Sequence, residues 1–114
     1  MGEQVPDGRV LERLFAVIDS RRGADPQTSY TARLFAEDRG KIACKTGEEA
    51  VEVIVAALGE GRERLATESA DLLYHLLVLW ADAGLEPAEV WTELAAREGV
   101  SGIAEKAARG GKGC

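Results

Sequence analysis

The sequence predicts an all-α fold, a bundle of four to five helices. Apolar residues recur at intervals of three and four along most of the chain, which is the spacing of one face of a helix. The sequence contains no run of alternating Val, Ile and Thr bounded by a two-residue turn, so nothing in it favours a strand. Glycine and proline fall between the periodic segments and separate the candidate helices.

The first two helices are predicted from an apolar stripe and a capping hydroxyl. A helix over residues 8–22 carries the stripe of Val10, Leu11, Leu14, Phe15 and Ile18. It is expected to end at Gly23, before the Asp25-Pro26 step. Thr28 or Ser29 is expected to cap the second helix, because a hydroxyl oxygen accepts from the free N–H groups of a first turn. The apolar side chains of this second helix are Tyr30, Leu34 and Phe35.

Two long helices are predicted at the centre of the chain. A break or kink at the Asp38-Arg39-Gly40 segment precedes the third helix, over residues 41–58. Gly59 and Gly61 bracket the turn before the fourth helix, over residues 62–83. Because that turn is short, the two helices are expected to be antiparallel neighbours, and their facing residues are the place to look for a site.

The pattern of residues after the fourth helix predicts one more helix and a C-terminal tail. Gly84 closes the fourth helix, and Pro87 lies in the first turn of a fifth helix over residues 86–97. A weak helical stretch follows over 103–108, and the glycine-rich residues 109–114 are expected to fray. A length of 114 residues is that of one typical domain, so we expect residues 1–114 to form a single domain.

The composition excludes several classes of function. Twenty acidic and 14 basic residues give a net charge of -6, which argues against non-specific binding to nucleic acid or to an anionic membrane. Two cysteines and one histidine are too few for a Cys/His zinc site or a di-iron bundle. Neither a signal peptide nor a membrane-spanning stretch is recognisable, so a cytoplasmic protein is expected. Cys44 is expected to be a buried or semi-buried small apolar residue.

Four carboxylates stand at matching positions on the two central helices. Glu49 and Glu52 lie three residues apart on the third helix, as do Glu68 and Asp71 on the fourth. Residues three apart project from nearly the same helix face, so on antiparallel neighbours the two pairs are expected to converge. A single Glu-x-x-Glu pair is common on a solvated face. Here, however, each pair leads directly into an apolar run, and Asp71 begins the most apolar stretch of the chain.

Such a cluster predicts a divalent cation. Four carboxylates placed together repel one another and are costly to desolvate unpaired. Ligands that are all carboxylates select hard ions such as Mg²⁺, with Mn²⁺ as a possible substitute, over zinc. Protein-bound Mg²⁺ usually also holds substrate phosphates, so the cluster points to phosphate chemistry.

These residues also resemble a known family. Glu-Glu-x-x-Glu, fifteen intervening residues and Glu-x-x-Asp resemble the signature of the all-α NTP pyrophosphatase (MazG-like) superfamily. The blocks KIACKTGEEAVE and ADLLYHLLVL resemble, within that superfamily, the phosphoribosyl-ATP pyrophosphatases. The resemblance implies Mg²⁺-dependent hydrolysis of phosphoribosyl-ATP to phosphoribosyl-AMP and pyrophosphate, the second step of histidine biosynthesis. Cys44 departs from the family pattern, which often has Lys in a KIxKK run.

The resemblance also implies roles for individual residues. Glu49, Glu52, Glu68 and Asp71 would hold Mg²⁺ directly or through its waters, and Glu48 or Glu49 would orient or deprotonate the attacking water. The candidates to bind the substrate, whose negative charge needs local cations in an acidic protein, are Lys41, Lys45, His75 and Arg97. Lys106 and Arg109 are weaker candidates. For each Lys or Arg the alternative is a solvated or paired side chain. His75, one turn beyond Asp71 on the same face, could instead bond a metal-ligating carboxylate or make a structural hydrogen bond.

The wide apolar helix faces predict a homodimer or a higher homo-oligomer, with the metal site near the interface. Tyr74, Trp80 and Trp91 are expected in the core or at that interface. Two other functions remain open. One is a housekeeping pyrophosphatase of the same superfamily that acts on dCTP, dUTP or damaged nucleotides. The other is a non-enzymatic helical dimerisation module, which would explain the apolar stripes and leave the position of Asp71 unexplained.

Overall fold

Five α-helices make up the computed structural model, which describes residues 5–99 of the chain. They are α1 (Val10–Ser20), α2 (Tyr30–Phe35), α3 (Arg39–Gly59), α4 (Arg62–Ala83) and α5 (Pro87–Ala95). The described residues contain no strand, so the predicted all-α bundle with two long central helices is confirmed. The predicted helical stretch at 103–108 and the tail at 109–114 lie outside the described residues.

The hairpin of α3 and α4 is the framework of the molecule. Only Glu60 and Gly61 join the two helices, and Gly61 has a φ of 90°, a left-handed value that favours glycine. α3 and α4 form by far the most extensive helix pair, and α1 and α2 both pack against α4. The short connection makes α3 and α4 antiparallel, as predicted, so residues near the middle of each face the other.

The core lies where α1, α2 and α3 meet α4. Its buried side chains are Phe15, Ile18, Leu34, Ile42, Leu77, Val78 and Ala81. Full burial of one large apolar side chain stabilises the fold by about 1.5–3 kcal/mol. Trp91 of α5 packs edge-on against Trp80 with the ring centroids 6.0 Å apart, and its Nε1 donates to Glu12 Oε1 at 3.2 Å. Tyr74, Trp80 and Trp91 are all half-buried.

The starts of α2 and α3 follow from side-chain caps. Ser29 Oγ accepts from the backbone N–H of Ala32 at 3.1 Å, so Ser29 rather than Thr28 is the cap of α2. Asp38 Oδ1 accepts from the backbone N–H of Lys41 at 2.9 Å. The predicted break at 38–40 is therefore a capped helix start, and α3 begins two residues before the predicted boundary.

Two surface features complete the description. The residues Val51, Ile54, Val55 and Leu58, here called the α3 stripe, are exposed to between 46% and 83%. Cys44 is also exposed, so the expectation of a buried or semi-buried cysteine is wrong. It lies two residues, about 200° around the helix, from the buried Ile42 and so points away from the core. None of the helices within residues 5–99 has the length and apolar composition needed to cross a membrane.

Candidate functional site

Three carboxylates meet between the central helices. One oxygen each from Glu49 of α3 and from Glu68 and Asp71 of α4 lie within 4.8 Å of one another. Helix periodicity explains this, because Glu49 lies seven residues from both Ile42 and Ala56, which are buried. The face of α3 that packs towards α4 therefore carries a carboxylate at its centre. Burial is graded across the cluster, since Glu68 is buried, Glu49 is half-buried and Asp71 is exposed to solvent.

The electrostatics of the cluster centre on Glu68. Burial raises the pKa of Glu68 above its ordinary value, and the charges of Asp71, Glu52 and Glu49 raise it further. The guanidinium of Arg64 acts in the opposite direction. In the ionised form, the cluster is thus electrostatically unfavourable without a cation.

Arg64 is a contact of the cluster that the sequence interpretation did not name. Its Nη2 donates to Glu68 Oε1, and its Nε lies 3.9 Å from Glu60 Oε1. The Arg64 side chain is 52% exposed, whereas that of Glu68 is 8% exposed. The signal available in the sequence was the spacing of four residues between Arg64 and Glu68, which places opposite charges one helical turn apart.

Glu52 and Glu48 take different positions from the three clustered carboxylates. Glu52 is exposed and is not one of the group within 4.8 Å, although its charge acts on Glu68. Glu48 is exposed and lines a surface depression of about 300 Å³ together with Glu37, Lys41, Cys44 and Lys45. Because consecutive residues project about 100° apart around a helix, Glu48 and Glu49 face different surroundings.

The predicted cations of the site are in two places. Lys45 is half-buried beside the depression, and Lys41 is exposed there, with its Nζ 3.5 Å from Glu37 Oε2. Arg97 is exposed and follows α5. That helix is held to α4 at Trp80, twelve residues and roughly 18 Å along the helix axis from Glu68. Lys106 and Arg109 lie outside the described residues.

His75 lies behind the carboxylates and is 7% exposed. Its Nδ1 is 2.9 Å from the backbone carbonyl oxygen of Asp71, and its Nε2 is 3.5 Å from Tyr30 Oη. A carbonyl oxygen only accepts, so Nδ1 donates the proton and a neutral ring accepts the Tyr30 hydroxyl proton at Nε2. Tyr74 packs edge-on against the ring at 5.4 Å. His75 thus contacts the backbone of Asp71 and not its carboxylate.

The donor set of the cluster fits a hard divalent cation. All three groups offer carboxylate oxygens, the ligands that Mg²⁺ and Mn²⁺ prefer. An octahedral Mg²⁺ with ligands at 2.0–2.1 Å places neighbouring oxygens about 3 Å apart and opposite ones about 4 Å apart. The three carboxylate oxygens lie within 4.8 Å of one another, so a single ion could be held between them. The exposed Asp71 side leaves room for waters and substrate oxygens.

Comparison with known proteins gives consistent matches over almost the whole chain. A family model described as phosphoribosyl-ATP pyrophosphohydrolase matches residues 11–98. A phosphoribosyl-ATP pyrophosphatase from Paramagnetospirillum magneticum is 65% identical over 106 residues, which cover 93% of this chain and 97% of that protein. A protein of the same name from Azospirillum brasilense is 61% identical over 109 residues, covering 96% and 98% respectively. Another from Rhodospirillum rubrum is 62% identical over 104 residues, covering 91% and 89%.

Proposed function

The chain belongs to the phosphoribosyl-ATP pyrophosphohydrolase family, and we propose that it hydrolyses phosphoribosyl-ATP to phosphoribosyl-AMP and pyrophosphate with Mg²⁺ as cofactor. This is the reaction of the second step of histidine biosynthesis, and the cytoplasm is its proposed location. The structural observation that best supports the proposal is the cluster of the Glu49, Glu68 and Asp71 carboxylates between α3 and α4.

Glu49, Glu68 and Asp71 hold the metal ion in this proposal, and Glu52 adds negative charge or binds one of its waters. A bound Mg²⁺ would polarise phosphate oxygens and neutralise charge that develops on them. His75 has a positioning role, because its Nδ1–H donates to the Asp71 carbonyl oxygen from a buried ring. It thereby supports the turn of α4 that presents the Asp71 carboxylate.

Lys41, Lys45 and Glu48 act on the substrate side. The two ammonium groups bind phosphate oxygens in the depression along α3, where they offset the repulsion between an acidic protein and a polyanion. Glu48 takes a proton from the attacking water, whose oxygen forms a new bond to phosphorus while the phosphoanhydride P–O bond breaks. Pyrophosphate leaves with the electron pair of that bond.

A second copy of the chain covers the α3 stripe in this proposal, which makes the protein a homodimer. Val51 and Ile54 lie on the side of α3 away from Glu49, which faces α4. Apolar residues on consecutive turns that stay exposed are typical of an interface between subunits. Because Glu52 lies next to the stripe, the partner would approach the metal site.

Pyrophosphate release tests the proposed reaction. Purified protein is incubated with phosphoribosyl-ATP, dCTP or dUTP, in Mg²⁺ or in EDTA, and pyrophosphate is measured. We expect turnover of phosphoribosyl-ATP that requires the metal and exceeds turnover of either deoxynucleotide. Preference for dCTP or dUTP would make the protein a housekeeping pyrophosphatase. No turnover of any of the three would leave the dimerisation module as the better explanation.

A further inference from the structure

We propose that Arg64 is the exchangeable counter-ion of the metal site. Its guanidinium pairs with Glu68 in the metal-free protein, is displaced when the metal binds, and then binds a phosphate oxygen of the substrate. The inference rests on the proposed metal-dependent reaction and adds a substrate contact outside the residues named for it above.

The first step of the argument is the position of the guanidinium. Nη2 of Arg64 donates to Oε1 of Glu68, one of the three carboxylates of the cluster. Glu68 is buried, while the Arg64 side chain is half exposed and reaches the cluster from its solvent edge. The guanidinium thus supplies the positive charge that offsets a carboxylate surrounded by Glu49, Glu52 and Asp71.

The second step is competition between two cations. A divalent ion held by Glu68 would lie next to the guanidinium, and the two positive charges would repel strongly because Glu68 is buried. Arg64 has another acceptor available, since Oε1 of Glu60 lies 3.9 Å from its Nε. Its exposed, flexible side chain can therefore leave Glu68 without losing every ionic partner.

The third step concerns what the released group can do. A guanidinium presents its N–H donors in a planar fork that matches two oxygens of one phosphate. Arg64 lies in the first turn of α4, where the positive end of the helix dipole also favours an anion. A guanidinium displaced from Glu68 would thus stay near the carboxylates that would hold the metal, within reach of a phosphate bound there.

Binding of Mn²⁺ to metal-free protein tests the exchange. We expect Arg64→Gln to lower the Kd for Mn²⁺ by about three- to tenfold, because a competing ion pair has been removed. Arg62→Gln is the matched control, since it removes the same charge from an exposed residue two positions away, and its Kd is expected to stay within about twofold of the wild type. Titration calorimetry with MnCl₂ gives all three values.

Thermal unfolding separates exchange from a general loss of stability. In EDTA, Arg64→Gln is expected to melt below the wild type, because the buried Glu68 has lost its counter-ion. With saturating Mn²⁺ the difference is expected to disappear. If Arg64→Gln binds Mn²⁺ as the wild type does or more weakly, the exchange is refuted, and a weaker affinity would make Arg64 a support for Glu68 in the metal-bound site.

Inorganic pyrophosphate probes the released guanidinium. In Mn²⁺-saturated protein, Arg64→Gln is expected to bind pyrophosphate at least fivefold more weakly than the wild type or Arg62→Gln. Arg64→Lys, which keeps the charge without the fork, is expected to show intermediate affinity. Unchanged affinity in Arg64→Gln refutes the phosphate contact. The proposed function and the proposal on Arg64 can fail separately. If the wild type hydrolyses phosphoribosyl-ATP but Arg64→Gln binds Mn²⁺ and pyrophosphate as the wild type does, only the proposal on Arg64 is refuted. If the wild type does not bind Mn²⁺, both proposals are refuted.

Discussion

Glu68 is the buried carboxylate of the cluster that it forms with Glu49 and Asp71. Asp71 begins the most apolar stretch of the sequence, yet Asp71 is exposed and Glu68 is buried. Spacing places both carboxylates on one face of α4, but it does not define how deep each lies. Depth depends on which side chains of other helices pack over each position, and those come from other parts of the chain.

The raised pKa of Glu68 predicts a pH-dependent effect of removing its charge. In the folded state this pKa lies above the ordinary value of 4.5, so ionisation of Glu68 opposes folding. The protonated carboxyl of Glu68 makes its full contribution to stability below pH 4.5. This contribution is lost as the pH rises through the higher pKa of the folded state. In EDTA at pH 7.5, Glu68→Gln is therefore expected to melt above the wild type.

Two measurements check this prediction on Glu68. The stabilisation by Glu68→Gln is expected to shrink as the pH falls through the raised folded-state pKa towards 4.5, because below 4.5 the wild-type carboxyl is protonated in both states. Glu63→Gln, at an exposed position on the same helix, is the control and is expected to change the melting temperature little. A lower melting temperature for Glu68→Gln at pH 7.5 would mean that attraction to Arg64 outweighs burial and repulsion.

The two faces of α3 carry different parts of the proposed mechanism. Glu49 lies in register with the buried Ile42 and Ala56, so it faces α4. Glu48 is about 100° away around the helix, beside Lys41 and Lys45. The angular positions of Glu48 and Glu49 around α3 are therefore enough to assign them to different surroundings, once the face of α3 that packs on α4 is known.

This division of roles predicts different effects of two conservative changes. Glu49→Gln is expected to weaken Mn²⁺ binding at least tenfold and to lose activity, because one ligand charge is removed. Glu48→Gln is expected to bind Mn²⁺ within about twofold of the wild type, yet to lose about 10²-fold or more in kcat, the contribution typical of a general base. Calorimetry and pyrophosphate release measure the two quantities. Equal loss of Mn²⁺ affinity in both variants would contradict the assignment of Glu48.

Within residues 5–99, one side of the α3–α4 hairpin is exposed. The core side chains come from α1, α2, α3 and α4. The α3 stripe lies outside this core and is exposed within residues 5–99. Four apolar residues on successive turns of an exposed helix face favour association with a second chain. In the proposed assembly, helices of two chains therefore pack together along the α3 stripe.

Light scattering after gel filtration tests the dimer. We expect the mass of two chains for the wild type, and the mass of one chain for Ile54→Glu, since a charge within the α3 stripe cannot be desolvated unpaired. Leu94→Glu is the control, because Leu94 is similarly exposed on α5 and lies outside the stripe. A wild type that elutes as a monomer at micromolar concentration, or a dimer that survives Ile54→Glu, would exclude this interface.

Most of the secondary structure could be predicted because its causes are local. Helix periodicity, Gly61, Gly84 and Pro87 placed α4 correctly and α3 and α5 within about two residues at each end. The start of α3 was less accurate, since the capping bond of Asp38 was not anticipated. The pairing of α3 with α4 also followed from the sequence, because a connection of two residues leaves no other neighbour within reach.

The sequence by itself determined the helices, the antiparallel hairpin and the two pairs of carboxylates, since each depends on backbone geometry over a few residues. Only the tertiary structure decided that Glu68 is buried, that Arg64 is its partner in the cluster, that His75 donates to the backbone of Asp71 and that Cys44 is exposed. The physical reason is that burial and side-chain pairing depend on how whole helices pack against one another, which a local pattern of residues does not encode.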